Sequence, residues 1–237
     1  SQHPAATPIP LEQAGSGSVP QPAKQDPTPV PEGQDAQPML QLFDPSKDGF
    51  GFANFAAGNG SASILVDDLV ELFGADGLCI PGGTESCMPY PGVQLFLRQL
   101  NAVLSNGVCY GMSASVANSF SGDIRLPGLD PVTTNVSDLR RTDQLDHSIA
   151  RLHMMQFSEE YRRFLDTRLE MWPDEIAEEL LSAFGGLENR LTPPYTLALY
   201  SDEGGHSITP VGMEETEVGY NVFVYDSNWP EETRRVV

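Results

Sequence analysis

The apolar pattern of this chain changes character once, and that change limits the folds open to it. From Ser63 to Phe184 apolar residues recur with a helical period. Past Gly185-Gly186 they alternate or run together in short segments bounded by Gly, Asp and Asn. Helices first and an antiparallel sheet later make an α+β domain.

Within the first part, the spacing predicts a helix from Ser63 to Phe73, with Leu65, Leu69, Val70 and Phe73 on one face and Gly74 as its stop. A second runs from Pro91 to Leu104. Asn106-Gly107 breaks the chain, and a third starts at Cys109 and ends near Phe120. Its small residues (Gly111, Ser113, Ala114, Ser115, Ala117) suit it to burial against other elements. Residues 121–140, rich in Pro, Gly, Asp and Thr, read as a loop, and a long helix is expected from Thr142 to Arg168. Pro173 then opens a helix to Phe184, with Asp174 and Glu175 at its positive end. Strands are expected at Tyr195–Tyr200, Ser207–Met213 and Tyr220–Tyr225. The terminal Arg234-Arg235-Val236-Val237 reads as the start of another, so the natural domain is expected to continue beyond this fragment.

Residues 1–38 are different. Nine prolines fall among Ala, Gln, Gly and Ser, and too few large apolar residues are present to offset the entropy of ordering. This segment is expected to be a disordered, extended tether, with the folded domain spanning 39–237 and beginning near Met39-Leu40-Gln41-Leu42-Phe43. Asp44 to Gly49 has a passing likeness to a calcium loop, but Phe55 stands where the bidentate Glu belongs, so a turn is expected. Phe50 to Phe55 reads as an irregular aromatic segment packed on the domain.

A formal charge of −20, with Lys24 and Lys47 the only lysines, argues against nucleic-acid partners and against docking on anionic membranes. No stretch approaches the roughly 20 apolar residues of a membrane helix. The sequence opens directly on Pro- and Gln-rich residues, as is expected of a secreted or lipid-anchored protein after processing. The expected location is extracellular or the cell envelope, with the tether as the site of any lipid anchor. Oligomeric state has no sequence signal.

Cysteine arithmetic separates the three thiols. Cys79 and Cys87 bracket a short loop through Pro81-Gly82-Gly83, and pairing them as a disulfide leaves Cys109 over. Three reduced cysteines are the competing reading; a zinc pair would need a second metal-spaced pair, and none is present. No metal site and no cofactor are expected.

Cys109 sits at a helix N-terminus, where the partial positive charge of unpaired amides favours thiolate. Downstream come Gly204-Gly205-His206 entering one strand and Val222 to Asp226 closing the next. Cysteine, then histidine, then a carboxylate is the constellation for acyl transfer through a thioester. Individually, each has a bland reading: a structural cysteine, a loop histidine, an aspartate capping a turn.

Together they resemble the papain-like cysteine peptidases. Gly107 to Ser113 matches the family's nucleophile turn and central helix. Gly205-His206-Ser207-Ile208 matches its base at a strand start. Tyr225-Asp226-Ser227-Asn228-Trp229 lies where the family ends a strand in Asn-Ser-Trp. The domain is also similar to bacterial extracytoplasmic proteins sharing a G-x-C-x-G-M motif and a late Y-D-x-N-x-P. The resemblance implies a papain-like fold, its helical part bearing the central cysteine helix packed on a C-terminal antiparallel sheet. It implies Cys109 as nucleophile, His206 as general base and acid, and Asp226 as the residue orienting the imidazole, with Asn228 as a rival third member. Trp229 would shield the His–Asp bond from water. The family's oxyanion Gln would fall at Val103; Asn106 is the substitute, with Gln99 and Asn101 behind it. The function expected is a cysteine hydrolase, a peptidase or amidase acting on a peptide or protein substrate. A transglutaminase-like acyl transferase and a non-catalytic binding module on the same fold are the alternatives.

Overall fold

The computed structural model describes residues 43–81, 87–130, 134–185, 195–202 and 204–236. The expected tether and most of the loop between Cys79 and Cys87 lie outside the described residues. Among the described residues seven helices precede four strands: α1 Pro45–Asp48, α2 Val66–Phe73, α3 Pro91–Leu104, α4 Cys109–Ser121, α5 Asp143–Met154, α6 Glu159–Arg168, α7 Pro173–Gly185, then β1 Leu197–Ser201, β2 Gly204–Thr216, β3 Gly219–Tyr225 and β4 Thr233–Val236. The strands form an antiparallel sheet in the order β1-β2-β3-β4. The chain is therefore α+β. No helix among the described residues is long and apolar enough to cross a membrane.

The helix-to-strand order follows the sequence pattern, with three differences. The segment expected as one helix from Thr142 to Arg168 is two, α5 and α6, with a turn of 3-10 helix at Met155–Phe157 between them. Ser158 is the cause: its hydroxyl accepts from the Tyr161 N–H at 3.1 Å and starts a new helix, with Glu159 and Glu160 in the first turn. Helix α2 begins at Val66 rather than Ser63, because the Asp68 carboxylate accepts the Leu65 N–H at 2.7 Å and fixes Leu65 as the exposed residue before the helix. The turn expected at Asp44–Gly49 is the single helical turn α1, capped by Asp44 accepting from Ser46 N–H.

Helix α4 is the centre of the molecule. Gly111, Met112, Ser113, Ala114, Ser115 and Val116 are buried, and the helix packs between α5 and β2. A Cβ on Gly111 would stand 2.2 Å from the Ile149 carbonyl oxygen, so only glycine permits this approach of α4 to α5. On the other side Ser113 Oγ donates to the Ser207 carbonyl at 2.9 Å, fixing α4 against β2.

The main core lies on this side of the sheet and includes Leu69, Leu104, Met112, Val116, Leu145, Ile149, Val211 and Tyr225. The aromatic segment expected at Phe50–Phe55 joins it, with Phe50 and Phe55 buried and Phe50 stacked on Phe52. A second, smaller core of Leu180, Ile208, Met213, Val222 and Val224 joins α7 to the sheet. One bulge lets β2 serve both. Its register shifts between Pro210 and Gly212, so Val211 turns to the main core while Ile208 and Met213 turn to the second. A bulge also tolerates Pro210 inside a central strand.

Cys79 and Cys87 form the expected disulfide, with a Cα separation of 5.2 Å. It sits in a short backbone ladder where Ile80 N–H donates to the Met88 carbonyl and Tyr90 N–H to that of Leu78. A disulfide is the bond of an oxidising compartment.

Candidate active site

Three pieces of chain far apart in sequence meet at one end of the sheet. The Gly107 turn starts α4 with Cys109, the start of β2 carries His206, and the turn after β3 carries Asp226. They line an open cleft of about 960 Å³. Cys109 is the free cysteine among the described residues and is partly exposed.

The imidazole of His206 is held from behind. Its Nε2 lies 2.7 Å from Asp226 Oδ1, and the Asp226 side chain is nearly inaccessible. Asn228 is placed differently: exposed, with Nδ2 3.4 Å from His206 Nε2. Its backbone N–H donates to Asp226 Oδ1 at 2.9 Å, so Asn228 supports the carboxylate instead of replacing it. Trp229 lines the cleft beside them, with the Arg234 guanidinium 4.4 Å over its ring.

The electrostatics favour a charged pair. Burial raises the pKa of the Cys109 thiol, but hydrogen bonding to His206, the imidazolium charge and the backbone N–H groups of Ser207 and Tyr110 outweigh it, and the net direction is down. For His206 burial acts to lower the pKa. The hydrogen bond to Asp226 and the contact with Cys109 overcome it, and the value rises to about 9. A thiol pushed down beside an imidazole pushed up favours proton exchange within the pair, in the direction of thiolate and imidazolium.

The first turn of a helix leaves its amides without intrahelical acceptors, and Val108, in the capping position, has no side-chain acceptor. Each amide of this turn can be accounted for. Val108 N–H donates to Asn54 Oδ1 at 2.8 Å. Tyr110 N–H faces the Cys109 sulfur. Gly111 N–H donates to His153 Nδ1 at 3.3 Å, so a histidine from α5 caps the nucleophile helix from outside. The amide of Cys109, a residue lining the cleft, has no acceptor among the described residues.

His153 can accept because it is neutral: burial pushes its pKa down to about 4, against the opposing effect of the Val108 carbonyl beside the ring. It is buried next to Ile149, Ala150 and Met154. The signal in the sequence was a lone histidine on the apolar face of a helix.

Asn54 is the residue that sequence reasoning missed. Its Oδ1 holds the turn before Cys109, and its own N–H donates to the Ser227 carbonyl at 2.7 Å, next to Asp226. One asparagine thus ties the turn before Cys109 to the turn that carries Asp226. With Oδ1 occupied, its Nδ2 lies over Gly107, where a Cβ would come within 2.8 Å of it. Gly107 has φ of 127°, a second reason for glycine there. The signal was a single polar residue in the aromatic run Phe50 to Phe55.

Of the expected oxyanion donors, Asn106 lines the cleft. Asn101 is committed elsewhere, accepting Ile64 N–H and donating to the carbonyls of Ile64 and Leu97. Gln99 is exposed on α3 and does not line the cleft. No family model, curated protein or solved structure matches this chain.

Proposed function

We propose that the chain is a cysteine hydrolase, a peptidase or amidase of papain-like type, working through a thioester at Cys109. The observation that carries the reading is the part-buried 2.7 Å contact of Asp226 with His206 Nε2, with Cys109 lining the same cleft beside that ring. The order nucleophile helix, base strand, acid turn and the packing of α4 on an antiparallel sheet support the family resemblance.

In the first half-reaction the Cys109 thiolate attacks a substrate carbonyl carbon. The oxygen gains negative charge and is held by the Cys109 N–H and by a side-chain amide lining the cleft, Asn54 Nδ2 or Asn106. The His206 imidazolium gives its proton to the leaving amine as the C–N bond breaks, and a thioester remains. Neutral His206 then takes a proton from water, which attacks the thioester. The carboxylic acid leaves and the thiolate–imidazolium pair returns. Asp226 keeps the imidazole in the orientation that faces sulfur.

The cleft is open to water, which favours hydrolysis over transfer to an amine. The disulfide supports an extracellular or cell-envelope location, as does the acidic composition.

Thiol labelling tests the reading. Iodoacetamide should alkylate Cys109 with an apparent pKa well below the free value of about 8.5, and His206→Ala should return it to that value. An unshifted pKa in the native protein would leave a binding module. Incorporation of added amine into product would point to acyl transfer instead.

A further inference from the structure

The cleft inverts the charge of the chain that forms it. The sequence carries 33 acidic side chains against 13 of Lys and Arg. Among the described residues only one of those acids, Asp226, lines the cleft, and its carboxylate is closed against His206. The Lys or Arg on that wall is Arg235, in β4. We propose that Arg235 is a specificity-determining residue: its guanidinium receives one carboxylate of a peptide substrate, from an acidic side chain or from the peptide C-terminus.

Three observations converge. The first is how Arg235 differs from the other basic side chains. Every other Lys or Arg among the described residues is exposed to water or paired with a carboxylate, as Arg151 is with Glu71 at 2.7 Å and Arg168 with Glu179 at 2.9 Å. Arg235 is half-buried and forms no ion pair with a described residue. Its Nε is sealed from solvent with no hydrogen-bond partner, while its terminal Nη nitrogens are not sealed. A guanidinium held in this way has lost hydration along one edge and gained no partner, and a ligand oxygen at the open Nη groups would supply one.

The second observation is placement. Strand alternation sends Arg234 and Arg235 to opposite faces of β4. Arg234 is buried, lies over the Trp229 ring and pairs with Glu232 at 3.4 Å. Arg235 stands opposite Phe223 of β3, three residues before Asp226, which is about 10 Å along the strand. An extended peptide covers that span in about three residues, so the carboxylate falls about three residues from the carbonyl that Cys109 attacks. The third observation is what the wall excludes. With Asp226 engaged, no described carboxylate of the cleft is left to receive a Lys or Arg side chain. A lone guanidinium balances one negative charge and forks onto the two oxygens of a carboxylate. A phosphate monoester, with nearly two charges, calls for a second cation, and no other described Lys or Arg lines the cleft.

The inference rests on reading the cleft as a peptide site, so its test reads binding and needs no catalysis. Full-chain Cys109→Ala protein is immobilised and exposed to two heptapeptide libraries, one with free and one with amidated C-termini. In each, one position at a time is fixed as Glu, Gln, Lys or Ala, and the retained peptides are read by mass spectrometry. A side-chain source gives Glu over Gln at one position by about tenfold or more in both libraries. A terminal source gives the free library over the amidated one by a similar factor. Arg235→Gln should remove whichever preference is seen. Arg235→Glu should reverse it, toward Lys or toward the amidated library, and a reversal cannot come from misfolding. Absence of any carboxylate preference, including failure to retain any peptide, overturns the proposal. So does a preference that survives Arg235→Gln, or one lost there together with a lowered urea midpoint and not reversed by Arg235→Glu. Failure of the thiol-labelling test with success here would leave a protein that binds acidic peptides without catalysis; the opposite pair of results would leave a hydrolase that does not read charge.

Discussion

The two faces of the sheet are built to different standards. Toward α4 the packing is dense: a large aliphatic and aromatic cluster, a glycine that brings two helix backbones together, and hydroxyl-to-carbonyl bonds joining α4 to β2. Toward α7 five buried residues suffice, and α6 beside them buries none. The dense face holds the turn that carries Cys109; the sparse face borders a cavity between α6, α7 and β1. Groups that must meet precisely need positions fixed within about half an ångström, which dense packing supplies, while sparse packing leaves a wall freer to move.

The sharpest way to break this comparison is kinetic. On the dense side Asp226→Ala should lower kcat/KM by about 10⁴ and Asn54→Ala by about 10²–10³, while Asn228→Ala stays within about tenfold. Comparable losses for Asp226→Ala and Asn228→Ala, measured on the same peptide, would reverse their assigned roles. Stability gives the next contrast. Gly111→Ala drives a methyl into the Ile149 carbonyl and should cost about 3 kcal/mol or more in urea unfolding. Leu180→Ala, beside an existing cavity, should cost about 2–3 kcal/mol. Equal costs would mean that the two faces are packed alike.

The smallest effect concerns acid. His153 has a folded pKa of about 4, below its unfolded value near 6.5, so the unfolded chain binds the extra proton first as pH falls. Stability should decline from pH 6.5 and level off below pH 4, with a loss of about 2 kcal/mol between pH 7 and pH 5. His153→Gln should remove that increment from the pH profile of unfolding. His206 and Cys109 shift in opposite directions, so their contributions between pH 6.5 and 8.5 oppose each other.

Local signals were legible in the sequence, and long-range ones were not. Pro91 at the start and Asn106-Gly107 just past the end delimited α3, and four strands lie where alternation placed them. The break at Ser158 was hidden because strong helix formers flank it on both sides, and only its hydroxyl bond to Tyr161 N–H stops the helix. The Cys–His–Asp order was visible; the separation of imidazole and carboxylate was not. Asn54 acts on Val108 across 54 residues, a relation that no periodicity encodes. Asn101 looked like a free amide until the fold supplied Ile64 as its partner.

The extra residue at Val211 divides β2 into two independently phased halves. Gly204 to Pro210 carries the histidine, and Gly212 to Thr216 runs from the second core out to the hairpin with β3. Slippage at the hairpin tip, where Val218 is almost wholly in solvent, would have to cross that discontinuity before it could rotate His206 off its partners. The hairpin is therefore free to accept insertions or drift in sequence without misaligning the imidazole.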